Sequence, residues 1–183
     1  MGSTKEKILK LGEALIRQKG YNAFSYQDIS KPLEIKNAAV HYYFPKKSDL
    51  AIGIFRTAQE RFDAMWSRHE GGTAKSKLLA FIKVYGDSAE QDMVCLVGAM
   101  ASEFYSLDGP VKEELKLIVD DIAKKLTAIL AEGKKNGEFH FEESAHTKAL
   151  LIVTNLLAGL QLARINGRQS FEVIRNSIIK SIG

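Results

Sequence analysis

The chain is short of the residues that most often announce covalent chemistry or broken helices. Its 183 residues include one cysteine, three prolines and one tryptophan. A single thiol, Cys95, excludes an intrachain disulfide and a cysteine-based zinc site. Prolines at 32, 45 and 110 alone leave long stretches in which helices run unbroken. Strand-like alternation bounded by turn residues is scarce, so the expected fold is all-α. Long apolar runs are missing too: Leu150 to Leu162 is interrupted by Thr154, Asn155 and Gln161 and is too short to span a bilayer. The opening residues lack signal-peptide character, and Glu6 stands where N-myristoylation requires Ser or Thr. Together these absences predict a cytoplasmic protein with no membrane partner.

Catalytic signatures are equally absent. No P-loop, nucleophile elbow or dinucleotide glycine pattern occurs. His69, His140 and His146 lack helical metal-ligand spacing, and His69-Glu70 has no distal histidine. The chain is therefore not expected to be an enzyme, and neither cofactor nor metal is expected.

What is present is a globular composition with a lopsided charge. Hydrophobic residues make up 45% and charged residues 26%, enough to fill a core and too apolar for disorder. Residues 1–50 carry nine Lys and Arg against five Asp and Glu, which leaves seventeen of each sign in residues 51–183. The entire net charge of +4 thus lies in the first fifty residues, the footprint expected of phosphate binding.

Apolar periodicity predicts about nine helices. The first covers Thr4 to Lys19, with Ile8, Leu11, Leu15 and Ile16 inward and Gly20 as its stop. Ser25 and Asp28 form a variant capping box for a short second helix, on which Ile29 and Leu33 share a face. Leu33-Glu34-Ile35 is the bend, and Lys36 to Tyr43 a polar-faced third segment closed by Phe44-Pro45. Two short helices around a tight turn, the second bearing small and hydrogen-bonding residues, suit insertion into a major groove. A long helix from Lys47 to His69 follows, and Gly71-Gly72 is the expected hinge. Five more helical patterns run from Ala74 to Ala89, Met93 to Leu107, Pro110 to Asn136, Ser144 to Asn166 and Phe171 to Ile182. The Met93–Leu107 stretch is apolar on nearly all sides and is expected to be the central buried helix.

These residues resemble the TetR family of one-component bacterial transcriptional repressors. The resemblance is carried by Gly20-Tyr21, by Phe24-Ser25-Tyr26-Gln27-Asp28-Ile29, by His41-Tyr42-Tyr43-Phe44-Pro45 and by Lys47-Ser48-Asp49-Leu50. It implies a three-helix helix-turn-helix domain at residues 1–50 and a helical ligand-binding and dimerisation domain at 51–183. Two positions depart from the family pattern. Glu34 occupies a turn site that usually holds glycine, where left-handed geometry costs a side-chain-bearing residue roughly 1–2 kcal/mol. Pro32 should shorten or shift the first short helix.

The resemblance also assigns roles. Lys36, Asn37, Ala38 and His41 are expected to face base edges, where Asn pairs with adenine, Lys reaches guanine and alanine meets thymine methyls. Ser25, Gln27, Tyr42, Lys46 and Lys47 are expected to hold phosphates. Phe62, Trp66, Phe81, Tyr85, Met100, Phe104 and Tyr105 are expected to line a pocket for an apolar or aromatic effector. Leu151, Asn155, Ala158, Gly159, Leu162, Phe171, Ile174 and Ile178 are expected to form a homodimer interface that presents two reading helices to a palindromic operator. The expected function is a DNA-binding repressor released by a small ligand. Its alternatives are a repressor that senses electrophiles or oxidants through Cys95, and a helical adaptor that binds protein without DNA.

Overall fold

The computed structural model describes residues 2–183, and among them all regular secondary structure is helical. Nine α-helices follow in order: α1 (Thr4–Lys19), α2 (Tyr26–Ser30), α3 (Asn37–Tyr43), α4 (Lys47–His69), α5 (Ala74–Glu90), α6 (Leu96–Ser102), α7 (Gly109–Lys135), α8 (Ala145–Asn166) and α9 (Gln169–Lys180). A single 3-10 turn, Phe104–Ser106, lies between α6 and α7.

The chain divides into two compact units. The first runs to Arg61 and takes in Leu96–Ile118; the second comprises Phe62–Cys95 and Val119–Gly183. The division falls inside α4, upstream of the expected hinge at Gly71-Gly72 and beyond the expected boundary at residue 50. Chain order alone gives no sign that a segment starting at residue 96 joins the N-terminal unit.

In that first unit α1 starts at a reciprocal capping box: the Glu6 N–H donates to Ser3 Oγ at 3.2 Å and the Ser3 N–H to Glu6 Oε2 at 3.1 Å. Ile8, Leu15 and Ile16 are buried, whereas Leu11 is half-buried. With Phe24, Ile29, Val40, Phe44, Leu50, Ile54 and Phe55 they make a small closed core. Buried Glu13 ties α1 to α4, accepting from Arg61 Nη2 at 2.6 Å and from Arg17 Nη1 at 3.4 Å.

The Met93–Leu107 stretch is not one central helix. Helix α6 is seven residues long, with Leu96, Ala99 and Met100 buried against α1's unit, and the chain then tightens into the 3-10 turn. Serines explain the break. Ser102 Oγ donates to the Ala99 carbonyl and Ser106 Oγ to the Glu103 carbonyl, each at 2.8 Å, competing with the helical ladder.

The second unit is a layered helical core. Phe81, Ile82 and Tyr85 from α5, Leu126 and Leu130 from α7, and Ile152, Leu156 and Leu160 from α8 are buried in it. Helix α8 packs along α9 and against α5. Ser144 caps α8 through the Thr147 N–H at 3.0 Å, as its position suggests. Helix α9 begins at Gln169 after Arg168, two residues earlier than expected.

Candidate nucleic-acid interface

Helix α2 begins where the Asp28 carboxylate accepts both the Ser25 N–H and the Ser25 hydroxyl, each at 2.8 Å. Those two bonds hold the Asp28 carboxyl below its ordinary range. The helix stops after five residues, as Pro32 demands. The turn closes through the Glu34 N–H on the Lys31 carbonyl and the Ile35 N–H on the Ser30 carbonyl, both at 3.1 Å. Glu34 itself sits at φ 54°, so the turn keeps the left-handed step and this residue bears the strain.

Helix α3 is fixed from one side only. Val40 is its single fully buried residue. Behind it Tyr26 Oη donates to the Phe44 carbonyl at 2.7 Å, locking the helix's C-terminal end. The Tyr26 ring meets His41 edge-on at 4.7 Å and 64°, which orients the imidazole while leaving it exposed. Lys36, Asn37, Ala38 and His41 all face solvent, and Tyr42 is 81% exposed with its ring edge-on to Tyr43. The outward face therefore offers an ammonium, a carboxamide, a methyl and an imidazole in sequence. That set can hydrogen-bond base edges and meet a thymine methyl.

Of the residues expected to flank this face, Ser25, Gln27 and Lys46 are exposed. At the start of α4 the Asp49 carboxylate accepts the Lys46 N–H at 2.9 Å. Lys47 is held differently. Its Nζ donates to the Phe24 carbonyl and lies 4.0 Å from the Phe24 ring centroid and 5.0 Å from that of Tyr21. Burial pulls its pKa down, against the pull of Glu103 and Asp28. This lysine bolts the α1–α2 loop to α4, so its ammonium faces inward. The contact joins residues 23 positions apart, which no local sequence pattern marks.

The residues expected around an effector fall into two groups. Phe62, Trp66, Phe81 and Tyr85 form one aromatic cluster in the C-terminal unit. Trp66 stacks on Phe81 at 5.8 Å and 13°, and Phe62 and Tyr85 stand 6.4 and 5.3 Å from the same ring. Phe62 and Trp66 are half-buried, whereas Phe81 and Tyr85 are core. Met100, Phe104 and Tyr105 belong to the other unit: Met100 is fully buried, Phe104 lies under the Lys112 ammonium, and Tyr105 is 95% exposed. Tyr105 thus faces solvent, because the 3-10 turn rotates it outward.

Cys95 is half-buried and hydrogen-bonded to Tyr85, whose phenol burial pushes well above its ordinary pKa. A neutral phenol supplies no charge to stabilise a thiolate. A cleft that sequence reasoning missed lies nearby, about 340 Å³ in volume, between the α5 terminus (Glu90, Asp92, Met93) and the α8–α9 corner (Leu160, Arg164, Arg168). Asp92 in its wall sits at φ 53°, and Glu90 pairs with Arg168 at 2.8 Å across it. No group of His, Cys, Asp or Glu among the described residues is arranged to hold a metal.

The expected dimer residues also separate. Leu151, Asn155, Ala158 and Leu162 are exposed along α8 and Ile174 is half-buried. Gly159, Phe171 and Ile178 are instead buried inside the α8–α9 hairpin, and a Cβ on Gly159 would stand 3.2 Å from Phe171 Cδ2. Those three hold α9 to α8 within one chain. The apolar face gains Leu150, Ile165 and Val173, all exposed. Helix α8 is long and apolar enough to cross a membrane by length and composition, and 28% of its most apolar window is buried in this chain.

Comparison with known proteins places both halves. Residues 8–54 match the description "Bacterial regulatory proteins, tetR family", and residues 74–177 match "Tetracyclin repressor-like, C-terminal domain". A TetR transcriptional regulator of known structure from Legionella pneumophila superposes with a TM-score of 0.88 at 32% identity, over 100% of this chain and 99% of that one. A TetR-family regulator from Agrobacterium tumefaciens gives a TM-score of 0.90 at 27% identity, over 97% and 96% of the two chains. The HTH-type transcriptional repressor BepR of Brucella suis is 22% identical over 178 residues, 93% of this chain and 85% of its own.

Proposed function

We infer that this chain, which belongs to the TetR family of bacterial regulatory proteins, is a cytoplasmic homodimeric repressor that releases its operator when a small apolar or aromatic molecule binds the C-terminal unit. The coarser part of this is the family's own: the chain is a DNA-binding transcription regulator and not an enzyme. The observation that carries the reading is the outward set Lys36, Asn37, Ala38 and His41 on a helix anchored by Val40, within the first fifty residues, which hold all the net positive charge. An adaptor that binds only protein has no use for that combination.

The division of labour is testable with three variants and two duplexes, an operator fragment selected from genomic DNA and a random one. Asn37→Ala should cost about 1–3 kcal/mol on the operator and nothing on random DNA. Lys46→Ala should weaken both alike and flatten the salt dependence by about one unit of slope. Lys47→Met should lose less affinity than Lys46→Ala and instead lower the melting temperature, because it removes an internal bond and two ring contacts. Equal, sequence-independent losses at 46 and 47 would show that Lys47 reaches a phosphate after all.

For the effector, the half-buried rings of Phe62 and Trp66 over Phe81 are the receptive surface. Trp66 is the only tryptophan, so its fluorescence reports this cluster alone. An apolar aromatic compound that releases the operator should also shift Trp66 emission, with matching midpoints. Release with an unchanged emission would place the effector elsewhere. The mechanism is a population shift: the ligand binds the state whose reading helices are wrongly spaced for two successive major grooves.

A further inference from the structure

The α1–α2 loop, which feeds the chain into the helix-turn-helix, is held by residues more than eighty positions away in sequence. Asn22 donates its N–H to Glu103 Oε2 at 2.9 Å and its Nδ2 to Ser106 Oγ at 2.7 Å. Ser106 Oγ in turn donates to the Glu103 carbonyl at 2.8 Å, which closes a ring of three bonds. Gly20 makes the approach possible: at φ 102° it adopts a backbone that few side-chain-bearing residues tolerate, and a Cβ there would overlap Glu103 Oε1. All of these residues lie in one compact unit, because Leu96–Ile118 clusters with the N-terminal helices.

We propose that Glu103 and Ser106 are positioning residues for DNA recognition, forming a latch on Asn22 that sets the entry of α2 and hence the aim of α3. The chain of contacts is short. Tyr21 and Phe24, buried on either side of Asn22, fix the loop to the core; the Phe24 carbonyl takes Lys47 Nζ; and Ser25 then opens α2. With Asn22 released, the loop keeps its hydrophobic pins but loses the polar bonds that fix its backbone between them. The Glu103 charge also reaches Tyr21, whose phenol is pushed up to about 12, first by burial and then by Asp108, Glu103 and Asp49.

A surface carboxylate near a DNA-binding face ordinarily repels phosphates, so removing it should tighten binding to any duplex. The latch predicts a different pattern, and the two can be separated in the full-length protein. Glu103→Gln keeps an acceptor oxygen for the Asn22 N–H; Glu103→Ala does not. In Glu103→Ala the Asn22 amide should exchange with solvent about tenfold faster, and operator affinity should fall by about tenfold while random-duplex affinity does not fall, the scale of one hydrogen bond to a charged group. Glu103→Gln should retain Asn22 protection and stay within about twofold of wild type on the operator. Asn22→Ala, which removes the Ser106 bond from the other side, should repeat the operator-specific loss in milder form. Unchanged Asn22 exchange in Glu103→Ala overturns the proposal, as does tighter binding by both Glu103 variants on both duplexes. The DNA arm rests on the operator-binding reading above. Should the wild-type protein bind no duplex selectively, that reading fails on its own, while Asn22 exchange still decides whether the latch exists.

Discussion

A chain carrying Leu162→Glu and Ile165→Glu together is expected to sediment as a monomer and to bind its operator at least about a hundredfold more weakly than wild type. Leu162 is 43% and Ile165 78% exposed, so neither is needed for the chain's own core, and the substituted protein should keep its helical circular-dichroism spectrum. In a dimer related by a twofold axis both residues count twice. Burying a leucine or isoleucine side chain is worth roughly 1.5–3 kcal/mol at most, so four such partly exposed groups, each replaced by a carboxylate, outweigh a moderate association energy. A monomer holds one half-site and forfeits the effective concentration that ties the second recognition helix to its own. Wild-type melting should rise with protein concentration, since association stabilises the folded state, and the variant's should not. A variant that stays dimeric moves the interface off this face. A monomeric variant with undiminished operator affinity removes the need for two half-sites.

That interface also shows where sequence reasoning runs out. Apolar residues at helical spacing identify a buried stripe, but they do not say which chain buries it. Gly159, Phe171 and Ile178 carry the same signal as Leu151 and Leu162, yet the first three seal α9 onto α8 and the other two face outward. The same limit produced the expectation of a central helix over Met93–Leu107. Composition there is apolar, but Ser102 and Ser106 turn their hydroxyls onto the backbone and the segment folds as a short helix and a tight turn. Local signals fared better. The end of α1 was legible from Gly20, and the break between α3 and α4 from the pre-proline bend at Phe44-Pro45. The exposure of Lys36, Asn37, Ala38 and His41 was legible as well, because they belong to one contiguous polar segment. The contacts of Lys47 and Glu103 were not, since each is made to a partner distant in sequence. Glu34 lies between these cases: the sequence marked the strained position, and the structure retains the strain.

Gly133→Ala should lower stability by about 2–4 kcal/mol, although alanine is ordinarily the better helix former by roughly 1 kcal/mol. Gly133 is buried in the last turns of α7, and a Cβ there would overlap the Cδ2 and Cε2 atoms of Phe139. Phe139 has nowhere to yield: it is buried, and its own N–H and that of Glu138 both donate to the Gly133 carbonyl, at 3.1 and 2.8 Å. Displacing the ring therefore disturbs the whole connector after α7. Glu138 caps α5 by accepting the Ala74 and Lys75 N–H groups at 3.2 and 3.0 Å, and the His140 N–H donates to the Ile182 carbonyl at 2.8 Å. One methyl group thus loosens the start of α5 and the end of the chain together. For a chain of this size the loss corresponds to a fall in melting temperature of about 5–15 °C. Gly86→Ala is the control, since Gly86 lies within α5 with open space where its Cβ would stand. There the propensity gain is unopposed, and stability should rise by up to about 1 kcal/mol. Opposite signs for the same substitution at two helical glycines isolate the Phe139 contact as the cause. If both variants gain stability, the ring repacks at little cost and the connector does not depend on Gly133.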